Sequence, residues 1–153
     1  MADFRTATPT AGVSCATSGE VFIVSMISVS GRPLYLKRLK LGARSVAATD
    51  LPMVVRIIQA DTDGTGTTNT PVAVDADVTA SVPTGKHTYT VAPTTNIRTL
   101  WQGTVWPQST ESISLIDPAT GVGLKVDSNK VCAVGVTAAT STQTVDGQLF
   151  ASD

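Results

Sequence analysis

Along its 153 residues the chain nowhere repeats apolar side chains at the helical period; short runs of period two, separated by turn-forming clusters, follow one another at regular spacing. The runs fall at 20–30, 33–41, 53–60, 71–81, 86–92, 97–106, 111–116, 123–127, 130–138 and 144–150. Between them stand Ser30-Gly31-Arg32-Pro33, Pro83-Thr84-Gly85, Pro93-Thr94-Thr95-Asn96, Trp106-Pro107-Gln108, Asp117-Pro118-Ala119-Thr120-Gly121 and Asp127-Ser128-Asn129. Gly, Pro and Asn supply the backbone angles that a strand does not use. This spacing predicts an all-β fold, a two-sheet antiparallel β-sandwich of jelly-roll-like type. Residues 20–153 form one sandwich domain in this reading. Residues 1–19, small and polar with one Pro, are expected to be an extended N-terminal arm.

Two segments make sharper predictions. In EVFIVSMISVS, strict alternation places Val21, Ile23, Ile27 and Val29 on one face and Phe22, Val24 and Met26 on the other, so this strand should be covered on both sides. In PLYLKRLKL, Leu34 and Leu36 have one parity and Leu39 and Leu41 the other, so a bulge near Lys37-Arg38 would bring all four to the core. A helix competes there, but Gly31-Arg32-Pro33 and Gly42 bracket a length typical of a strand.

Composition narrows the function. The chain has 24 Thr and 13 Ser against one His, and 15% charged residues. From Val55 it runs VRIIQADTDGTGTTNTPVAVDADVTASV, an apolar strand, a Thr/Gly/Asp loop and a thin alternating strand without His, Cys or Glu. Such a segment presents a surface. A net charge of −1 gives no global field for nucleic acid phosphates. No apolar run reaches the length of a membrane span, and the N-terminal residues lack the basic and apolar regions of a secretory signal. Synthesis in a host cytoplasm is the expectation. Cys15 and Cys132 have no CxxC company; a long-range disulfide is geometrically open, while the apolar run around Cys132 favours a buried free thiol.

Constellations that could do chemistry are thin. Asp61-Thr62-Asp63-Gly64 shares the opening of a calcium loop, but the twelfth position is Val72 in place of the Glu such a loop requires; a turn with Asp side chains on their own backbone and Gly64 at positive φ is the expectation. Gly64-Thr65-Gly66 and Gly121-Val122-Gly123 meet Asn69 and Val126 where a dinucleotide fingerprint needs a third Gly. A nucleophile–His relay would have to use His87, which sits in a strand-like polar alternation. Asp75 and Asp77 share strand parity and read as a solvated edge. No enzyme, metal or cofactor is expected. Trp101 and Trp106, with Tyr89, are the candidates for a sugar-stacking platform, though five residues apart the two indoles face opposite sides unless Gly103 bulges; core or interface packing is the alternative. Arg32, Lys37, Arg38, Lys40 and Arg44 place five of eleven basic residues within thirteen positions, either a solvated strand edge or a stripe that docks on an acidic protein surface.

The segments LYLKRLKLGARS (34–45), VVRIIQADTDGTGT (54–67) with TPVAVD (70–75), and GVGLKVDSNKVCAVGVTA (121–138) together resemble the capsid decoration, or cement, proteins of tailed bacteriophages, which have jelly-roll-like β-sandwich folds. The ending DGQLFASD departs from the Trp- and Glu-containing tail common in such sequences. The resemblance implies a homo-oligomer, a trimer in the first instance, seated on the capsid exterior and tying copies of the major capsid protein together. It carries over no catalytic residues. A glycan-binding adhesin on a virion and a head-tail or tail component are the alternatives.

Overall fold

Residues 2–44, 49–74 and 83–153 are described by the computed structural model, and among them there is no helix. In chain order the strands are β1 (Asp3–Ala7), β2 (Val13–Cys15), β3 (Val21–Ile27), β4 (Leu34–Arg44), β5 (Met53–Ala60), β6 (Thr65–Asn69), β7 (Val72–Ala73), β8 (Gly85–Val91), β9 (Arg98–Val105), β10 (Glu111–Ser114), β11 (Leu124–Val126), β12 (Val131–Thr137) and β13 (Gln143–Ser152). They form two antiparallel sheets. The seven-stranded sheet runs β10-β4-β13-β1-β7, with β11 also on β4 and β2 also on β13; the six-stranded sheet runs β6-β8-β3-β12-β5-β9. The chain passes from one sheet to the other between β2 and β3, β3 and β4, β4 and β5, β6 and β7, β7 and β8, β9 and β10, β11 and β12, and β12 and β13. Strands adjacent in sequence therefore face each other across the core, as in the sandwich that the strand spacing predicts.

Between the sheets pack Phe4, Leu36, Leu39 and Leu149 from one side and Ile23, Met26, Ile57 and Val134 from the other. The leucine bulge is present where the sequence places it. Phe150 of β13 faces Arg38 and Ala151 faces Leu36, leaving Lys37 as the unmatched residue. Leu34, Leu36, Leu39 and Leu41 are all buried as a result. A second bulge changes the parity read for β3. Val134 faces Val24 and Gly135 faces Phe22, so Ile23 is the extra residue. The neighbours Ile23 and Val24 both enter the inter-sheet core, while Phe22 turns outward. There it joins Ile58, Tyr89, Val131 and Ala133 in a second apolar cluster, with Tyr89 edge-on to Phe22 at 6.3 Å. The double covering of β3 is thus correct, but the assignment of residues to faces by simple alternation is not.

The N-terminal arm is a correction. Residues 3–7 are β1, a strand inside the seven-stranded sheet between β13 and β7, and residues 13–15 are β2, paired with the start of β13. Ala2, Phe4, Thr6, Val13 and Cys15 are buried. The alternation Ala2, Phe4, Thr6 is a strand pattern whose small and hydroxylated members hide its period. Two hydrogen bonds close the pairing: the Ala2 N–H donates to the Asp153 side-chain Oδ1 at 2.7 Å and the Asp153 N–H to the Ala2 carbonyl at 3.1 Å.

Residues 65–69, read as loop, are edge strand β6, and β4 runs past Gly42 to Arg44. Of the strand expected over 71–81, Val72–Ala73 is strand; Asp75 and Asp77 lie outside the described residues. The Asp61–Gly64 turn is built differently from expectation. Asp61 pairs with Lys130 at 2.7 Å, and Asp63 pairs with Lys86 at 2.6 Å and accepts from the Tyr89 hydroxyl at 2.8 Å, so both carboxylates bridge elements. Gly64 is required for space: a Cβ there would lie 2.0 Å from the Val91 carbonyl oxygen, and its φ is not positive. Cys15 and Cys132 are free and buried, and burial pushes each thiol up to about 12, well away from the reactive thiolate at neutral pH.

Asp61, Asp127 and Asp153 sit below the ordinary Asp value of 3.8: Asp61 through hydrogen bonds from Lys130 and Asn96, Asp127 chiefly through Gln59 and then Lys125 and Arg98, and Asp153 because the Ala2 N–H and Arg32 outweigh its burial. Depressed carboxylates stabilise the fold above their unfolded pKa, and that contribution is lost as pH falls through the folded values. The urea midpoint should therefore be level between about pH 7 and pH 5 and fall below about pH 4. A midpoint that rises on acidification from about pH 5 to pH 3 contradicts these pairings.

Candidate functional site

The outer face of the seven-stranded sheet is assembled by strand register. On β4, Arg38 and Lys40 face Phe150 and Gln148 of β13, and on their other side Ser114 and Ser112 of β10. Phe150 also faces Arg5 of β1, which faces Val72 of β7. One row across the sheet therefore reads Val72, Arg5, Phe150, Arg38, Ser114, and the next reads Ala7, Gln148, Lys40, Ser112. The Arg38 guanidinium lies over the Phe150 ring at 4.2 Å from its centroid. Such stacking covers an aromatic face without neutralising the cation.

The five basic residues singled out in the sequence separate into two groups. Arg32 pairs with Asp153 at 3.1 Å, Lys37 with Asp3 at 2.7 Å, and Arg44 with Asp146 through two bonds of 2.6 and 2.8 Å. The hydrogen bond to Asp146 raises the Arg44 pKa above the ordinary guanidinium value. Arg38 and Lys40 have no carboxylate partner among the described residues. Of the eleven Lys and Arg residues, eight make ion pairs with described residues; the third without one among them is Arg5. The three cations without an ion pair among the described residues thus stand in two adjacent rows of one sheet face. Arg5 does not stand out as a neighbour of Arg38 in the sequence, because it lies in the segment 2–17, taken for an arm that would itself be a contact surface. Its proximity to Arg38 is created by β13, which lies between β1 and β4 and is nearly the whole chain away from β1.

Two open grooves flank Arg38 and Lys40. One, of about 400 Å³, is lined by Lys37, Arg38, Phe150, Val74 and Ile116 among others. The other, of about 470 Å³, is lined by Lys40, Arg44, Pro9 and Thr10 among others. Val72, Val74 and Ile116 are 57%, 58% and 38% exposed at the margins of the face. The surface is mixed, apolar at its rim and around Phe150, cationic at Arg5, Arg38 and Lys40, with carboxylates Asp3 and Asp146 at two corners.

The aromatic candidates do not share a surface. Tyr89 is buried behind the six-stranded sheet, its hydroxyl 2.6 Å from Ser25 Oγ and donating to Asp63. Burial, first of all, raises its pKa. Trp101 packs against the main core, and its ring occupies the space where a Cβ on Gly103 would stand, 2.7 Å away. The bulge in β9 is at Leu100, since Ile57 faces Trp101 and Ile58 faces Thr99; it is not at Gly103. Only Trp106 is broadly exposed, at 53%. His87 contacts Oγ1 of its own neighbour Thr88 at 3.0 Å, with no carboxylate bonded to it among the described residues. No group of three or more His, Cys, Asp or Glu side chains placed to hold a metal occurs among the described residues.

Fold and face together define an all-β sandwich that presents a partly apolar, locally cationic sheet surface. No protein-family model, curated protein or solved structure matches the chain.

Proposed function

We propose that this chain is a non-enzymatic virion structural protein that decorates the capsid exterior of a tailed bacteriophage and stabilises the shell by bridging copies of the major capsid protein. The observation that supports this reading is the gathering on one sheet face of the three cations without an ion pair among the described residues, two of which, Arg38 and Lys40, belong to the segment 34–45 that carries part of the resemblance. Attachment is protein to protein in this reading, with no nucleic acid, membrane or cofactor involved. A protein that binds the assembled shell and not its separated subunits stabilises the shell by the differential free energy of attachment.

Self-association belongs to the same proposal. In the six-stranded sheet β9 is an edge strand, and Leu51, Val54 and Trp106 are exposed along and beside the β5–β9 pair. An unpaired edge next to an exposed apolar patch is a ready surface for a second copy.

Light scattering of the chain alone, and co-sedimentation with capsids of the phage that encodes it, test both parts. The expected results are a multiple of the 15.8 kDa chain mass that falls to a monomer on Trp106→Glu, and saturable attachment to intact shells. A monomer that ignores intact capsids overturns the proposal.

A further inference from the structure

We infer that the outer face of the seven-stranded sheet receives an extended acidic segment of a protein partner, with carboxylates at alternate positions seated on Arg38 and Lys40 and an apolar side chain lying toward Phe150. This rests on the reading of the chain as an attachment protein and names the chemistry of what it attaches to. Register carries the argument. Arg38 and Lys40 are two residues apart on one strand beyond the Lys37 bulge, so they point to the same side about 7 Å apart along β4. A partner segment in extended conformation, running along β4, repeats its own side chains at the same spacing of about 7 Å. Arg5 lies two strands away, about 10 Å across the sheet, and can hold a third carboxylate beyond Phe150.

Charge complementarity selects the occupant. Cations without an internal carboxylate are the ones free to pair across an interface, and among the described residues they are confined to this patch. A nucleic acid strand fits less well. The Phe150 ring that a base would stack on is already covered by Arg38, and a net charge of −1 gives no field that gathers a phosphate backbone. The exposed Val72, Val74 and Ile116 at the rim suit a segment that mixes acidic with apolar residues.

The test uses the full chain and three capped, fluorescently labelled octapeptides rich in Val and Thr: one with two Glu at alternate positions, an isomer with the two Glu adjacent, and a Gln analogue. Fluorescence anisotropy should show binding of the first peptide, with the isomer weaker by about three-fold or more and the Gln analogue by about ten-fold. Arg38→Gln with Lys40→Gln should weaken binding about ten-fold, Arg38→Glu with Lys40→Glu should abolish it, and Arg98→Gln on the other sheet should change it less than two-fold. Thermal melts confirm that each variant is folded. Equal binding of the three peptides, an unchanged affinity in the folded double variants, or tighter binding of single-stranded DNA than of the first peptide overturns the inference. If capsids bind the unaltered chain and the double Glu variant equally, the inference fails while the decoration reading stands. If the peptide binds as expected but capsids do not, the decoration reading fails and the acidic-segment site stands.

Discussion

Replacing Phe4 by Ala is expected to destabilise the protein by about 3–5 kcal/mol, the range for removing a large aromatic from a packed core. Phe4 is fully buried on β1, and that strand lies between β13 and β7. Its ring is one of the largest side chains in the inter-sheet core, where the cavity left behind adds to the lost transfer free energy. Against a total stability of about 5–15 kcal/mol for an ordinary domain, such a loss removes a large part of the margin. Urea titration followed by tryptophan fluorescence measures it. A change under about 0.5 kcal/mol, the size of a typical surface substitution, would mean that the N-terminal residues are a dispensable arm after all. By the same logic, deleting residues 2–17 removes two strands and unfolds the sandwich, so capsid attachment is better probed by point substitutions on the outer face.

The second large effect separates two single-residue deletions three positions apart. Deleting Lys37 removes the bulge residue of β4. The strand then alternates regularly, and Leu34, Leu36, Leu39 and Leu41 still point into the core. The losses are the ion pair to Asp3 and the hydrogen bond from the Leu115 N–H to the Lys37 carbonyl, together about 1–2 kcal/mol. Deleting Lys40 shifts everything beyond Leu39 by one position. Leu41 and Ala43 then turn to solvent and Arg44 turns toward the core, so two apolar contacts are exchanged for a desolvated charge. This variant is expected not to fold, whereas the Lys37 deletion should melt cooperatively with a β-sheet circular dichroism spectrum. Similar behaviour of the two deletions would rule out the bulge as the device that sets the phase of β4.

Much of the candidate site was legible residue by residue, since Arg38 and Lys40 stand out in any reading of 32–44. Their difference from Arg32, Lys37 and Arg44 was not. It depends on where Asp153, Asp3 and Asp146 come to rest, and those carboxylates lie between 34 and 121 residues away in the chain. The glycan platform failed for a related reason: Tyr89 and Trp101 are aromatic side chains with sheet and core to fill, and only packing decides which of them stay exposed.

Local chemistry alone determined that this chain is built from strands. Alternation, β-branched residues and Gly/Pro/Asn turns act over a few residues, and they located the leucine bulge because a change of hydrophobic parity can be reconciled with a single core in no simpler way. Tertiary structure decided which strands are neighbours, that β1 and β2 belong to the sheet, where β3 changes parity, and which cations are left without a carboxylate. In an antiparallel sandwich these depend on pairing between distant segments, and the free energy of that pairing is spread over partners that no local window contains.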